Sequence, residues 1–318
     1  MFKEIPEILE FQELIDKAFK KIDKVRIADK DAFYRLKKTI IAKTDSFCVK
    51  IITTLENYVK KFPSINNMHP FFQELLEIKL DVDKLKKSLG GVDWARKTVN
   101  MVYLTQLKQL KRSQNIEFLK QKQKEIYGRV TSIIKQVEKE LKTLKDAREV
   151  FRSFPDIEDI PTVVIAGFPN VGKSSLLRCL SSAKPKIAQY PFTTKEIVIG
   201  HIFKQEKYVK IKIQIIDTPG LLDRPLSARN KIEQQAINAV KNLADIIIFI
   251  FDPTETCGYS FNSQKHLLLQ LQEIFKDSDF IVVENKADFK KTSSSYIKIS
   301  CESKEGIDVL IKEIISKI

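Results

Sequence analysis

The most chemically specific stretch of the chain is Gly167-Phe168-Pro169-Asn170-Val171-Gly172-Lys173-Ser174-Ser175, which fits G-x-x-x-x-G-K-[ST] between an apolar run and a helical pattern. A loop of this kind cradles phosphates. Its glycines let the backbone curl, so that the N–H groups of Asn170, Val171, Gly172, Lys173, Ser174 and Ser175 can turn inward. Lys173 would place a charge at the β- and γ-phosphates, and the N-terminus of the helix that follows adds its partial positive charge. Ser174 is the expected Mg²⁺ ligand.

Three further stretches extend that chemistry. Asp217-Thr218-Pro219-Gly220 stands at the end of an expected strand, Ile211 to Ile216; a carboxylate there can hold Mg²⁺ through water, and the Gly220 N–H can sense the γ-phosphate. Asn285-Lys286-Ala287-Asp288 chooses the base, because Asp288 can accept from both the N1–H and the exocyclic N2–H₂ of guanine, a donor pair that adenine lacks. Lys286 would lie along the base plane, Asn285 would brace the loop, and Ser300-Cys301-Glu302 would offer backbone N–H groups to guanine O6. Between the first two stretches lies Tyr190-Pro191-Phe192-Thr193-Thr194-Lys195, where a threonine for Mg²⁺ and the γ-phosphate is expected: Thr194 first, Thr193 second. The ligands implied are GTP and GDP, and the reaction is in-line attack of water on the γ-phosphate. Where a water-orienting glutamine would follow Gly220, the chain has Leu221 and Leu222, so unaided hydrolysis should be slow.

To position these loops, strands must alternate with helices, and the pattern from Thr162 onward supplies them. Strands are expected at Val163 to Ala166, Glu196 to Phe203, Val209 to Ile216, Ile246 to Phe251, Phe280 to Glu284 and Tyr296 to Ile299. Helices are expected from Gly172, near Arg229 to Leu243, at Ser263 to Phe275 and at Ile307 to Ile315. This describes an α/β domain around a mostly parallel sheet, with ligands beyond the strand C-termini.

Residues 1–153 carry no strand signal. Apolar residues recur at helical spacing from Ile5 to Phe19, Asp31 to Lys61, Phe71 to Leu80, Val82 to Leu89, Val92 to Leu110 and Ser113 to Phe151, with Gly90-Gly91 read as a break. The fold class expected is two-domain: an all-α helical bundle over 1–153, a linker over 154–161 that turns from basic to acidic, and the α/β domain over 162–318. Trp94 is read as a packing residue.

Charge separates the halves as well. Of 55 Lys+Arg and 41 Asp+Glu, 33 and 21 fall within residues 1–155, an excess of 12 out of the net +14. Such a field favours a polyanion, RNA first. No run approaches the roughly 18 to 20 uncharged apolar residues of a membrane span, and Met1 to Ile5 lacks an apolar leader, so a cytoplasmic protein is expected. Cys48, Cys179, Cys257 and Cys301 are scattered and read as reduced thiols; His69, His201 and His266 are isolated and suggest no metal cage.

G-F-P-N-V-G-K-S-S, Y-P-F-T-T-K, D-T-P-G-L-L-D-R-P and N-K-A-D resemble the Obg-HflX group of GTPases, and the whole arrangement is similar to the Nog family of nucleolar GTP-binding proteins in its short archaeal form. The resemblance covers nearly the full chain, which departs from the eukaryotic members by ending at Ile318 without their long extension. It implies association with the precursor of the large ribosomal subunit, with the helical bundle on rRNA and the GTPase domain timing release or binding. P-N-V-G-K-S also resembles the loop of potassium-stimulated GTPases, in which the asparagine helps hold K⁺; here that is Asn170, with Arg224 the alternative source of charge. The catalytic set is then Lys173, Thr194, Gly220 and Asn170, with Ser174, Thr194 and Asp217 around Mg²⁺. A monomer is expected. The competing reading is a GTP-dependent regulatory protein whose acidic partner is a membrane surface and whose hydrolysis is incidental.

Overall fold

The structure is a computed structural model that describes residues 2–189, 196–206, 209–224 and 231–318. It separates into two compact units: Met1–Asn67 with Leu80–Arg152, and Met68–Lys79 with Ser153–Ile318.

The helices of the first 152 residues are α1 (Phe11–Ile22), α2 (Ala32–Lys61), α3 (Pro70–Lys79), α4 (Val82–Arg112), α5 (Ile116–Gln136) and α6 (Glu138–Arg152). Three of them begin in the same way. Asp31, Asp81 and Asn115 each sit in extended geometry and accept a hydrogen bond from the N–H three residues on, at 2.9, 2.9 and 3.1 Å. Each such cap is worth about 1 kcal/mol. All the helices except α3 form the first unit, around a core that includes Leu14, Phe47, Ile51, Val99, Ile126 and Leu144. Phe47 packs with tilted rings against Phe19 and Tyr127, centroids 4.8 and 4.6 Å away.

The sequence pattern misplaces several helix ends in this unit. Gly90-Gly91 does not break a helix; α4 runs through it. A Cβ at Gly91 would lie 3.1 Å from the Glu140 side chain, so this glycine serves the close approach of α6. Conversely, the run from Ser113 to Phe151 is divided at Val137, which leaves helical geometry at φ −107°, ψ 22° with its side chain buried. Residues 6 to 10 are not helical, although Ile5, Ile8 and Leu9 are buried: the Leu9 N–H goes to the Tyr58 hydroxyl, 3.1 Å away. Trp94 is 47% exposed, because Val92, Ala95 and Val99 take the buried face of α4.

The second unit is built on a seven-stranded sheet ordered β2-β3-β4-β1-β5-β6-β7, with β1 (Thr162–Ala166), β2 (Lys186–Gln189), β3 (Glu196–Glu206), β4 (Val209–Asp217), β5 (Ile246–Phe251), β6 (Asp279–Glu284) and β7 (Ile297–Lys298). The pairs β2/β3 and β3/β4 are antiparallel and the rest parallel, so the sheet is mostly parallel. The short β2 carries no signal in the sequence pattern. Every residue of β1 and β5 is buried, as expected of strands covered on both faces. Its helices are α7 (Lys173–Leu180), α8 (Lys231–Lys241), α9 (Phe261–Ile274) and α10 (Ile307–Ser316). Register then does the positioning. Ile165 is level with Asp217, Ala166 with Phe249 and Phe251 with Glu284, so the segments leaving β1, β4, β5 and β6 emerge along one edge of the sheet.

The second unit also takes in α3, which the sequence reading placed with residues 1–153. Phe71, Phe72, Leu75 and Leu76 are buried, α3 packs on α8, and Glu74 accepts a hydrogen bond from Asn242 at 2.7 Å. Phe72 stacks on Phe154 with centroids 5.7 Å apart.

Candidate functional site

The loop after β1 is held in a conformation that few sequences tolerate. Gly167 (φ +141°) and Gly172 (φ +107°) lie in the left-handed region, and a Cβ on either would meet Ile250 O at 2.8 Å or the Asn285 amide nitrogen at 2.2 Å. Asn170 shares that region at φ +63°, which asparagine accepts better than most residues. Lys173 opens α7 and folds back over the loop, donating from Nζ to the Gly167 and Phe168 carbonyls at 2.7 and 2.8 Å. Burial pushes its ammonium below the ordinary lysine range, against the pull of Asp217 and Asp223.

Beside Lys173, Ser174 donates from Oγ to Asp217 Oδ2 at 2.7 Å. Asp217 is fully buried at the end of β4, and its Oδ1, like Thr218 Oγ1, has no hydrogen-bond partner among the described residues. Burial raises the Asp217 carboxyl above its usual range, opposed by Ser174 and Lys173. A hydroxyl and a buried carboxylate oxygen side by side are the donor set that Mg²⁺ takes when substrate phosphates and water complete its shell, so the residues fit that ion. The Gly220 N–H, at φ +77°, is donated to Asp223 Oδ2 at 2.8 Å. Leu221 and Leu222 are buried and present nothing that could hold a water.

The other end of the site is a cleft of about 430 Å³. It is lined by Asn170, Gly172 and Ser175, by Asn285, Lys286, Asp288 and Phe289, and by Ser300, Cys301 and Glu302, so three separate sequence segments meet there. Asn285 ties them together: its Nδ2 donates to Val171 O at 2.8 Å and its Oδ1 accepts from the Cys301 N–H at 3.2 Å. That Cys301 N–H was expected to face a ligand; instead it holds Asn285. Burial and then the neighbouring Cys179 push the Cys301 thiol up to about 12, which leaves it a poor nucleophile.

Two residues here were not anticipated from the sequence. Asp252, fully buried just after β5, accepts from Lys286 Nζ at 2.6 Å and from the N–H groups of Thr254 and Cys257 at 3.0 and 2.9 Å. Burial alone would raise its carboxyl, but Lys286, Thr254 and Cys257 outweigh it and hold the carboxyl below its usual range. Its partner lies 34 residues away, and no short motif spans that distance. Phe289 is 76% exposed on the cleft wall; an aromatic residue directly after Asp288 was the available signal. Thr193 and Thr194 lie outside the described residues.

A glycine-bent loop between β1 and α7, a cleft at the strand ends and a mostly parallel sheet together define a P-loop GTPase. Residues 2–158 match the family described as NOG1 N-terminal helical domain, and residues 162–286 match 50S ribosome-binding GTPase. The chain belongs to the Nog1 family of P-loop GTPases, a class that uses Mg²⁺.

The chain is 38% identical over 291 residues to an uncharacterized protein of Methanocaldococcus jannaschii, MJ1408, an alignment that covers 90% of this chain and 81% of that one. It is 34% identical over 238 residues to nucleolar GTP-binding protein 1 of Saccharomyces cerevisiae, covering 74% of this chain and 36% of the yeast protein. The chain thus spans little more than a third of the length of that curated nucleolar relative. A crystal structure assigned to nucleolar GTP-binding protein 1 of Plasmodium falciparum aligns at 28% identity and a TM-score of 0.45, over 52% of this chain and 89% of that one. Among the described residues no helix is long and apolar enough to cross a membrane.

Proposed function

We propose that this chain hydrolyses GTP to GDP and phosphate as a switch in assembly of the large ribosomal subunit, with its basic helical segment meeting rRNA and its work done in the cytoplasm. One observation carries the reading: the phosphate loop lines the Asp288 cleft through Asn170, Gly172 and Ser175, and its Ser174, adjacent to Ser175, donates to Asp217. The relatives named as nucleolar GTP-binding proteins, the family described as ribosome-binding and the excess of 12 positive charges over residues 1–155 support the choice of partner.

In this reading Asp288 accepts from the guanine edge, Lys286 lies along the base with Phe289 opposite, and Asn285 keeps the two loops in register. Ser174 and Asp217, with Thr194, would hold Mg²⁺, which neutralises charge on the β- and γ-phosphate oxygens. Lys173 leaves its loop carbonyls for the same oxygens, and the Gly220 N–H turns to the γ-phosphate. With leucines after Gly220, unaided turnover is slow; Asn170 would help hold K⁺, which would supply positive charge to the reaction.

The test is GTP hydrolysis by the purified protein, with and without large-subunit precursors, in K⁺ and in Na⁺. Stimulation by the particle is expected, larger in K⁺. Binding of GTP with no stimulation under any condition would overturn the assembly role.

A second reading is favoured by one observation. On α4, Trp94, Met101 and Leu104 are 47, 62 and 49% exposed and share a face with Lys97 and Lys108. That stripe suits GTP-gated attachment to an anionic membrane surface. Co-sedimentation with phosphatidylserine vesicles in preference to rRNA would select it.

A further inference from the structure

In GTP-binding terms the Gly220 amide has one hydrogen to give, and in this structure it is given to a side chain of the same loop. Asp223 Oδ2 accepts it at 2.8 Å. The carboxylate is not at the surface: Asp223 is 9% exposed, and its charge is felt by both Lys173 and Asp217. Its backbone is pinned from behind. Leu221 and Leu222 are buried, and Leu222 O accepts from the N–H of Gly167, the first residue of the phosphate loop, at 3.1 Å. An arriving γ-phosphate therefore meets an anion already seated on the amide it needs, and two anions cannot share one N–H.

We propose that Asp223 is a positioning residue that competes with the γ-phosphate for the Gly220 amide, weakening GTP relative to GDP. The proposal rests on the GTPase reading above and adds to it a residue that sets the balance of nucleotide states. GDP, without a γ-phosphate, leaves the contact intact; GTP must displace it. Displacement is also felt beyond the loop, since the next residue, Arg224, is paired with Glu233 of α8 at 2.8 Å.

The experiment is a fluorescence titration of the full chain with GDP and with the non-hydrolysable β,γ-imido analogue of GTP, both with Mg²⁺, for the parent, Asp223→Ala and Asp223→Asn. Removing one charged hydrogen-bond competitor should tighten the triphosphate by about tenfold in Asp223→Ala, and by less in Asp223→Asn, which keeps an acceptor oxygen without the charge. GDP affinity should stay within about twofold, which also reports that both variants fold. The proposal falls if the triphosphate weakens, which would make Asp223 part of the metal or phosphate site, or if both nucleotides shift in parallel, which would make it structural. Failure of the parent to bind either nucleotide would instead remove the GTPase reading itself.

Discussion

Two carboxylates, Asp217 and Asp252, are both fully buried, one ending a strand and the other following one in the same sheet, and both are near a lysine of the nucleotide site, yet their environments push them in opposite directions. Asp252 is surrounded by donors, Thr256 among them, and Lys286, Thr254 and Cys257 hold its carboxyl below the usual range despite burial. Asp217 has the Ser174 hydroxyl and one bare oxygen, and burial raises it. Among the described residues the Asp252–Lys286 cluster is thus satisfied by the protein itself, whereas at the phosphate end Asp217 Oδ1 and Thr218 Oγ1 are buried without a partner. Stability is stored at the first and withheld at the second for the ligand to supply.

The largest test of this contrast is Asp217→Asn. Mg²⁺-dependent GTP turnover should fall by about 10²- to 10³-fold, the usual cost of one preorganised electrostatic contact, while the melting temperature without nucleotide should rise, because a buried, under-partnered charge has gone. A melting temperature that falls would mean that the carboxylate is structurally satisfied after all. Asp252→Ala should do the reverse. It leaves Lys286 paired only with Thr256, should cost about 3 kcal/mol of unfolding free energy as a broken buried ion pair, and should raise KM for GTP with little change in kcat. Urea titration and steady-state kinetics separate the two effects; a loss of kcat at constant KM would place Asp252 in the chemistry instead.

Gly172→Ala joins the two ends and sharpens the comparison. Its φ of +107° and a Cβ 2.2 Å from Asn285 Nδ2 mean that the loop must shift or Asn285 must release Val171, a strain of about 2 kcal/mol. Both nucleotide affinity and stability should fall together, whereas Gly90→Ala, which meets nothing within 4 Å in mid-α4, should raise stability by up to about 1 kcal/mol. Equal effects at the two glycines in thermal melts would refute the strain argument.

These contrasts mark what a sequence can reveal. Gly167 to Ser175, Asp217 to Gly220 and Asn285 to Asp288 are legible because their chemistry is carried by neighbouring residues, and each is preceded by a run with a clear strand pattern, apolar before Gly167 and alternating before Asp217. Asp252 is invisible in that way, since its meaning is Lys286, brought to it by the pairing of β5 with β6. The helical segments were located but wrongly divided: Gly91 breaks nothing because Glu140 packs over it, and Val137 ends a helix without any breaker residue. Membership of α3 in the second unit was hidden for a related reason. Phe71, Phe72, Leu75 and Leu76 make an apolar face that would suit a bundle equally well, and only packing against α8 decides where it goes.

The smallest expected effect is a change of slope with pH, measured as urea midpoints between about pH 3 and 7 without nucleotide or Mg²⁺. Asp217, raised in the folded chain, makes a contribution that is full below its unfolded pKa and is lost as pH rises through the folded value. Asp252, lowered, makes one that is full above its unfolded pKa and is lost as pH falls through the folded value. Asp217→Asn should therefore flatten a decline on the alkaline side of the ordinary carboxylate range, and Asp252→Asn should flatten one on the acid side. If both substitutions altered the same limb, the two carboxylates would share one electrostatic environment, and the division of the site into a finished end and an unfinished end would have no physical basis.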